Sequence, residues 1–293
     1  MKWGAGPTAG ALSAALLLSG LTGCAAPDAD TGEVRVVAGF YPLAYAAQRV
    51  AGDRSRVGNL TTPGGEPHDL ELGFRETVSV ADADVVVYER GFQSAVDETV
   101  ANVAEGVRVD AARVVALQQV DGEVDPHFWQ DPLLLADVGD AVAAALSEAD
   151  PAHAAAYQAN ADDLRADLVA LDRAYATGLS GCARSTVVVS HDAFGYLRRY
   201  GLRFEAITGL SPDAEPTPAN LARLQELVGE QGITTVFSER LASPRLAQSL
   251  ADDLGVRTAV LDPLEGLSDA TAGEDYLTLM YANLTALQEA NGC

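Results

Sequence analysis

The segment ADPAHAAAYQANADDLRADLVALDRAYATGL, residues 149–179, decides the fold of this chain. It is rich in alanine and other helix-favouring residues, and Leu164, Leu168 and Leu171 recur at helical spacing. A helix of roughly 28 residues extends about 42 Å, which is more than a single lobe of this size needs. We therefore predict a rigid helix over residues 149–180 that joins two lobes.

On both sides of this helix the sequence alternates strand and helix patterns. Apolar strand runs occur at residues 34–40, 57–60, 84–88 and 107–109 before it, and at residues 185–190, 203–207, 233–237 and 257–261 after it. Such alternation is typical of parallel sheets covered by helices on both faces. The predicted fold is α/β, with an N-terminal lobe over residues 33–148 and a C-terminal lobe over residues 181–293, each built on a mostly parallel sheet.

The N-terminal residues have the pattern of an export signal. Lys2 precedes a short apolar stretch that is not long enough to span a membrane, and residues 1–23 lead into Leu-Thr-Gly-Cys, the form of a lipobox. We predict that the signal is removed, that Cys24 is lipidated, and that residues 24–32 form a flexible tether. The protein would then be extracytoplasmic, anchored to the outer face of the cell membrane. The alternative is an ordinary secretory signal with an incidental cysteine.

Two further cysteines remain, Cys182 just before a strand run and Cys293 at the last position. In an oxidising compartment such a pair forms a disulfide more often than it stays reduced. We predict a bridge between Cys182 and Cys293, and the alternative is two free thiols.

The charge of the chain argues against several classes of partner. The formal net charge is −23, and no cluster of lysine or arginine reverses it locally. A surface this acidic repels phosphate backbones, so nucleic acid is excluded as a partner. Only 6% of the residues are aromatic, which gives little support to an adhesin or structural lipoprotein.

Four polar residues follow strand patterns or turn-forming loops, and they are His68, His127, His191 and Asp262. In open parallel α/β sheets, ligand-binding groups gather beyond the carboxyl ends of the strands. Three imidazoles and one carboxylate complete the ligand set of a divalent transition metal. We therefore predict a metal site in the cleft between the lobes, with ligands from both.

The sequence resembles the metal-binding receptors of ABC importers for zinc and manganese, which are solute-binding lipoproteins with two α/β lobes joined by one long helix. The resemblance covers nearly the whole mature chain and rests on five motifs in order: GEPHDLE at 65–71, DPHFWQDP at 125–132, SHDAFGY at 190–196, FSE at 237–239 and LDP at 261–263. It places the ligands at His68, His127, His191 and Asp262. It further implies a monomeric receptor, not an enzyme, that delivers its ion to a membrane permease.

The third histidine indicates which metal is carried. Family members that resemble manganese carriers tend to have glutamate where this chain has His191, and a nitrogen-rich tetrahedral site suits zinc. We predict Zn²⁺, with Mn²⁺ as the alternative. Residues 116–125 contain no histidine, so the histidine-rich capture loop of many zinc receptors is missing. Because the ligands must be neutral, affinity is expected to fall below about pH 6.

The identity of the fourth ligand stays open, because two glutamates are also candidates. Glu66 or Glu239 could replace Asp262 as the carboxylate, or could orient the imidazoles. A secreted zinc hydrolase is the rival class, in which three ligands hold the ion, water fills the fourth position and one of these glutamates is the general base. His153, within the alanine-rich helix, is assigned to the surface and not to the site.

Overall fold

The structure is a computed structural model that describes Met1 and residues 33–293. The predicted signal peptide, the lipidation site Cys24 and the tether at residues 24–32 lie outside the described residues. Within the described part of the chain, no helix combines the length and the apolar character needed to cross a membrane.

Four parallel strands form the N-terminal sheet: β1 (Val34–Ala38), β2 (Ser55–Asn59), β3 (Val85–Tyr88) and β4 (Val107–Asp110). Their order is β2-β1-β3-β4, and Val36 of β1 is in register with Val57 and Val85 on its two sides. Every residue of β3 is buried, as expected of a strand covered on both faces. The helices of this part are α1 (Tyr41–Ala51), α2 (Phe74–Ala81), α3 (Ser94–Val103) and α4 (Ala111–Val114).

A short hairpin and two long helices lead to the second sheet. The hairpin is antiparallel and consists of β5 (Gln118–Val120) and β6 (Glu123–Asp125). Helix α5 (Pro132–Ala149) begins at the cap Asp131, whose side chain accepts a hydrogen bond from the backbone N–H of Leu133. Helix α6 (Ala154–Gly178) is the predicted long helix, and a 3₁₀ turn at Pro151–His153 precedes it.

Four further parallel strands form the C-terminal sheet: β7 (Thr186–Val189), β8 (Arg203–Ala206), β9 (Thr235–Ser238) and β10 (Arg257–Val260), in the order β10-β9-β7-β8. Its helices are α7 (Pro218–Gln231), α8 (Arg245–Leu254) and α9 (Tyr276–Asn291). The segment after β7 forms a 3₁₀ helix at Gly195–Tyr200. The predicted α/β fold with two helix-covered parallel sheets is confirmed.

The hydrophobic core is continuous between the two sheets. One cluster of buried side chains includes β1 and β3 of the first sheet, β7 of the second and the buried stripe of α6. Two smaller clusters cover the outer faces of the sheets, one around Val86 and one around Val236. Helix α6 is therefore packed into the shared core along Tyr157, Leu164, Leu168 and Tyr175, and it does not stand free between lobes.

The predicted disulfide between Cys182 and Cys293 is present. It joins the segment before β7 to the residue that follows the end of α9. The backbone N–H groups of Ala183 and Arg184 also donate to the carbonyls of Gly292 and Asn291. The last helix is thus fixed to the start of the central strand of its sheet.

Candidate metal centre

Three imidazoles and one carboxylate converge at the carboxyl ends of the strands. His68 lies beyond β2, His127 just after β6, His191 just after β7, and Glu265 beyond β10. One potential ligand atom from each of the four lies within 4.8 Å of the other three. His127 and His191 are 0% exposed and Glu265 is 1% exposed, whereas His68 is partly buried at the edge of the group.

The distances within this group fit a tetrahedral site. Oε1 of Glu265 lies 3.4 Å from Nε2 of His68, 3.3 Å from Nε2 of His127 and 3.2 Å from Nε2 of His191. In a tetrahedron with zinc–nitrogen and zinc–oxygen bonds of about 2.0 to 2.1 Å, two ligands are separated by roughly 3.3 to 3.4 Å. The three separations from Oε1 to the nitrogens match three of the six edges of such a tetrahedron.

Two buried polar atoms at the same place have no hydrogen-bond partner among the described residues. They are Nε2 of His127 and Oε2 of Glu265. Buried polar atoms without partners are rare, because each one costs free energy when water is removed. A cation bound by Oε1 of Glu265 and the three Nε2 atoms would satisfy Nε2 of His127, so the donor set fits a bound divalent metal.

Carboxylates contact two of the imidazoles at Nδ1, while Nε2 of each ring faces the centre. Nδ1 of His127 lies 2.8 Å from Oδ1 of Asp125, and Nδ1 of His191 lies 2.9 Å from the carboxylate of Glu239. A proton on each Nδ1 can be donated to these carboxylates, which leaves each Nε2 lone pair directed at the shared centre. Glu239 is also fixed by a hydrogen bond from Oγ of Ser190. Of the two open glutamates, Glu239 therefore orients an imidazole.

The electrostatics of the site favour the protonated forms of His127 and His191 and the charged form of Glu265. Burial lowers the pKa of His191, but the hydrogen bonds to Glu239 and Glu265 outweigh it and raise the pKa to about 10. The pKa of His127 is also raised, because contacts with Asp125 and Glu265 outweigh burial. Burial raises the pKa of Glu265, but the three imidazoles together hold it well below its usual range. A metal cation in place of the imidazole protons would likewise offset the negative charge of Glu265.

The segment that carries His68 is fixed by its neighbours. Oε1 of Glu66 accepts a hydrogen bond from the backbone N–H of His68 at 3.1 Å, and the buried Gln93 donates from Nε2 to the carbonyl of Pro67 at 3.1 Å. Burial, followed by the charge of Glu265, raises the pKa of Glu66 to about 7. Glu66 therefore lies close to the centre, but it is not one of the four converging residues.

The structure differs from the sequence-based expectation at Asp262. Its Oδ1 accepts the backbone N–H of Leu264 at 2.9 Å, and its Oδ2 pairs with Nε of Arg240 at 2.9 Å. Both oxygens are thus used in local contacts, and Glu265 supplies the carboxylate beside the imidazoles. The expectation that Asp262 supplies the carboxylate of this group is corrected, because the converging carboxylate is Glu265. Asp262 lies at the strand end as expected, but the next turn carries a different carboxylate inward.

His153 is on the surface as predicted. Its Nδ1 lies 2.6 Å from Oδ2 of Asp150, which directly follows α5, and its side chain is 51% exposed. Trp129 and Phe194 are fully buried in the shared core, in agreement with a packing role.

The family described as "Zinc-uptake complex component A periplasmic" (ZnuA) matches residues 36–290 of this chain. The chain belongs to this family. Its resemblance to the metal-receptor lipoproteins, inferred from five short motifs, is confirmed.

Known proteins extend the match to nearly the whole chain. The zinc-binding lipoprotein AdcA of Streptococcus pneumoniae is 34% identical over 95% of this chain, but the chain spans only 60% of the length of that relative. The high-affinity zinc uptake system protein ZnuA of Bacillus subtilis is 31% identical over 90% of this chain and 89% of its own length. The Zn(II)-bound ZnuA-like domain of S. pneumoniae AdcA is 36% identical, with a TM-score of 0.78 over 89% of this chain and 100% of that domain.

Proposed function

We propose that this protein is an extracytoplasmic zinc receptor that captures one ion and delivers it to the permease of an ABC importer. The observation that carries the proposal is the set of three distances from Oε1 of Glu265 to the Nε2 atoms of His68, His127 and His191, which lie between 3.2 and 3.4 Å. Relatives named as zinc-binding lipoprotein and zinc uptake protein support the same cargo.

The donor set favours zinc over manganese. Zinc accepts four ligands with three imidazole nitrogens, whereas manganese prefers more oxygen donors and higher coordination. At the third position this chain has His191, which supplies nitrogen where a glutamate would supply oxygen. Manganese remains the alternative cargo of the same fold.

Four protein ligands around the ion support capture without chemistry. A catalytic zinc keeps an open position for water and a general base beside it. Of the two candidate bases, Glu239 is bound to His191 and Ser190, and Glu66 accepts the backbone N–H of His68, so both carboxylates are already engaged within the protein. The secreted zinc hydrolase is therefore the weaker hypothesis.

The setting of the receptor is part of the proposal. Residues 33–148 and 181–293 would act as two lobes on either side of the ion, with residues 149–180 as their link. Lipidation at Cys24 would anchor a monomer to the outer face of the cell membrane, and relatives named as lipoproteins support this placement. Mass spectrometry of the membrane fraction tests the anchor, because diacylation at Cys24 adds a defined mass to the mature N-terminus.

Metal content and competition between metals test the cargo. Soluble protein beginning at residue 33 is stripped of metal, titrated with zinc and manganese against a chromophoric chelator, and compared with the His153→Ala variant as a surface control. We expect one zinc per chain, bound far more tightly than manganese, in both proteins. Preference for manganese would keep the transport role and reject the assignment of zinc, and no stoichiometric metal would reject the receptor.

A further inference from the structure

The turn that presents Glu265 has an unusual backbone conformation. Leu264, directly before Glu265, has a φ of 60°, in the left-handed region. This region is unfavourable for a bulky side chain, and Leu264 is also fully buried. The turn therefore needs support from outside itself to keep Glu265 in place.

Asp262 supplies that support through both of its carboxylate oxygens. Oδ1 accepts the backbone N–H of Leu264 at 2.9 Å, and Oδ2 pairs with Nε of Arg240 at 2.9 Å. Asn283 of α9 holds the backbone of Asp262 on both sides, because it accepts from the N–H at 2.9 Å and donates to the carbonyl at 2.6 Å. With only 4% of its surface exposed, Asp262 is fixed in one position.

The same turn is bound to the supports of two other ligands. The carbonyl of Pro263 accepts hydrogen bonds from Nε1 of Trp129 at 2.8 Å and Nε2 of Gln130 at 2.6 Å, and both donors lie in the segment after His127. Arg240 directly follows Glu239, which contacts Nδ1 of His191. A shift of the turn would therefore move Glu265 relative to two imidazoles at once.

We infer that Asp262 is a positioning residue, which holds the turn 262–265 so that Glu265 meets the three imidazoles, and which does not itself touch the ion. The inference rests on the proposed function and deepens it. Residues that orient metal ligands affect binding because a ligand displaced by a fraction of an ångström no longer fits the coordination sphere. Asp262 would thus influence zinc binding from outside the coordination sphere.

Four variants test this inference by zinc competition titration and by the visible absorption of bound cobalt(II), which reports coordination geometry. Asp262→Ala removes the acceptor for Leu264, and we expect zinc affinity to fall by about 10- to 100-fold, with an altered cobalt spectrum. Asp262→Asn keeps an oxygen for the N–H of Leu264, so we expect it to restore most of the affinity. Glu265→Gln weakens a direct ligand and should lose the most. The fourth variant is a matched control at Asp110.

Asp110 resembles Asp262 in its environment, but its side-chain hydrogen bonds and ion pairs involve only Arg90, Ala112 and Arg113 and none of the four converging residues. It is 7% exposed, it accepts the backbone N–H of Ala112 at the start of α4, and it pairs with Arg90 and Arg113. Asp110→Ala should lower thermal stability through the loss of a cap and two ion pairs, while zinc affinity and the cobalt spectrum stay as in the wild type. This control separates positioning from general destabilisation.

Two results would overturn the inference. If Asp262→Ala matches Asp110→Ala in affinity and spectrum, Asp262 has no positioning role. If Asp262→Asn is as weak as Glu265→Gln, Asp262 is itself a ligand. Should Asp262→Ala fail to fold, Arg240→Ala removes the ion pair to Asp262 from a partly exposed residue. A zinc affinity and a cobalt spectrum equal to those of the wild type would then reject the inference. Absence of zinc binding in both the wild type and Asp110→Ala would reject the proposed function instead.

Discussion

At the scale of single residues, the three histidines of the metal centre have unequal support. His127 and His191 are fully buried, and each has a carboxylate on Nδ1. The side chain of His68 is 11% exposed, and no carboxylate lies on its Nδ1 among the described residues. We expect the two buried imidazoles to contribute more to zinc affinity than the partly exposed one.

Alanine variants of the ligands test this ranking. His127→Ala and His191→Ala should lower zinc affinity by orders of magnitude, because each removes a donor that no solvent molecule can replace in a closed site. His68→Ala should lose less, since water can reach its position. Competition titration gives the values, with His153→Ala as the control of unchanged affinity. Equal affinity of His191→Ala and the wild type would contradict the assigned site.

The raised pKa values predict proton release on zinc binding at neutral pH. The pKa of His191 is about 10 and that of His127 is raised, so metal-free protein holds protons that zinc must displace. Affinity should rise roughly tenfold per pH unit for each proton released, from acid pH up to the raised pKa. This pH range is wider than the one expected from histidines with ordinary pKa values, for which zinc affinity falls only below about pH 6. Calorimetry at pH 7.5 in buffers of different ionisation enthalpy counts the protons released when zinc binds. A count of zero would contradict the raised pKa values of His127 and His191.

The sequence predicted the three histidines but not the carboxylate, for a physical reason. Each histidine follows a recognisable strand or a proline-bounded loop, so topology alone brings them together. Asp262 has the same signal, because it directly follows the last strand run. Glu265 enters the site only because Leu264 adopts a positive φ, and no local pattern marks a leucine for that conformation. The one hint in the sequence was that Glu265, a second carboxylate, lies in the same loop as Asp262.

At the scale of helices and strands, the long helix α6 lies between the two sheets along the chain, and the disulfide joins two segments of the C-terminal part. The spacing of leucines predicted the helix within a few residues, with observed bounds at Ala154–Gly178. Its burial was not predicted, since a narrow apolar stripe does not show how many neighbours will pack on it. Tyr175 of this helix donates a hydrogen bond from its hydroxyl to the carbonyl of Met280 in α9, which ties the link to the last helix.

Removal of the disulfide should reduce stability without affecting the metal centre. Cys182 and Cys293 are 111 residues apart, and on the chain-entropy model closing such a loop stabilises the fold by about 4 to 5 kcal/mol. The double variant Cys182→Ser, Cys293→Ser should therefore unfold at lower denaturant concentration and bind zinc with wild-type affinity. Urea titration and zinc competition measure both quantities. An unchanged midpoint would show that the bridge does not constrain the unfolded chain.

At the scale of the whole molecule, the two sheets share one core and should unfold together. Leu168 of α6 is 0% exposed in the cluster that extends to both sheets. Leu168→Ala should lower the free energy of unfolding by about 2 to 5 kcal/mol, in a single transition, because the cavity lies in the common core. Asp163→Ala, at an exposed position of the same helix, should change little. Two separate transitions in calorimetry would indicate independent lobes.

The central claim is that four side chains from loops along the whole chain form one closed zinc site. X-ray absorption at the zinc edge of the loaded protein tests it most directly. We predict four nitrogen or oxygen ligands at about 2.0 to 2.1 Å, with the outer scattering of three imidazoles and no sulfur. Five or six ligands, or fewer than three imidazoles, would contradict the site formed by His68, His127, His191 and Glu265.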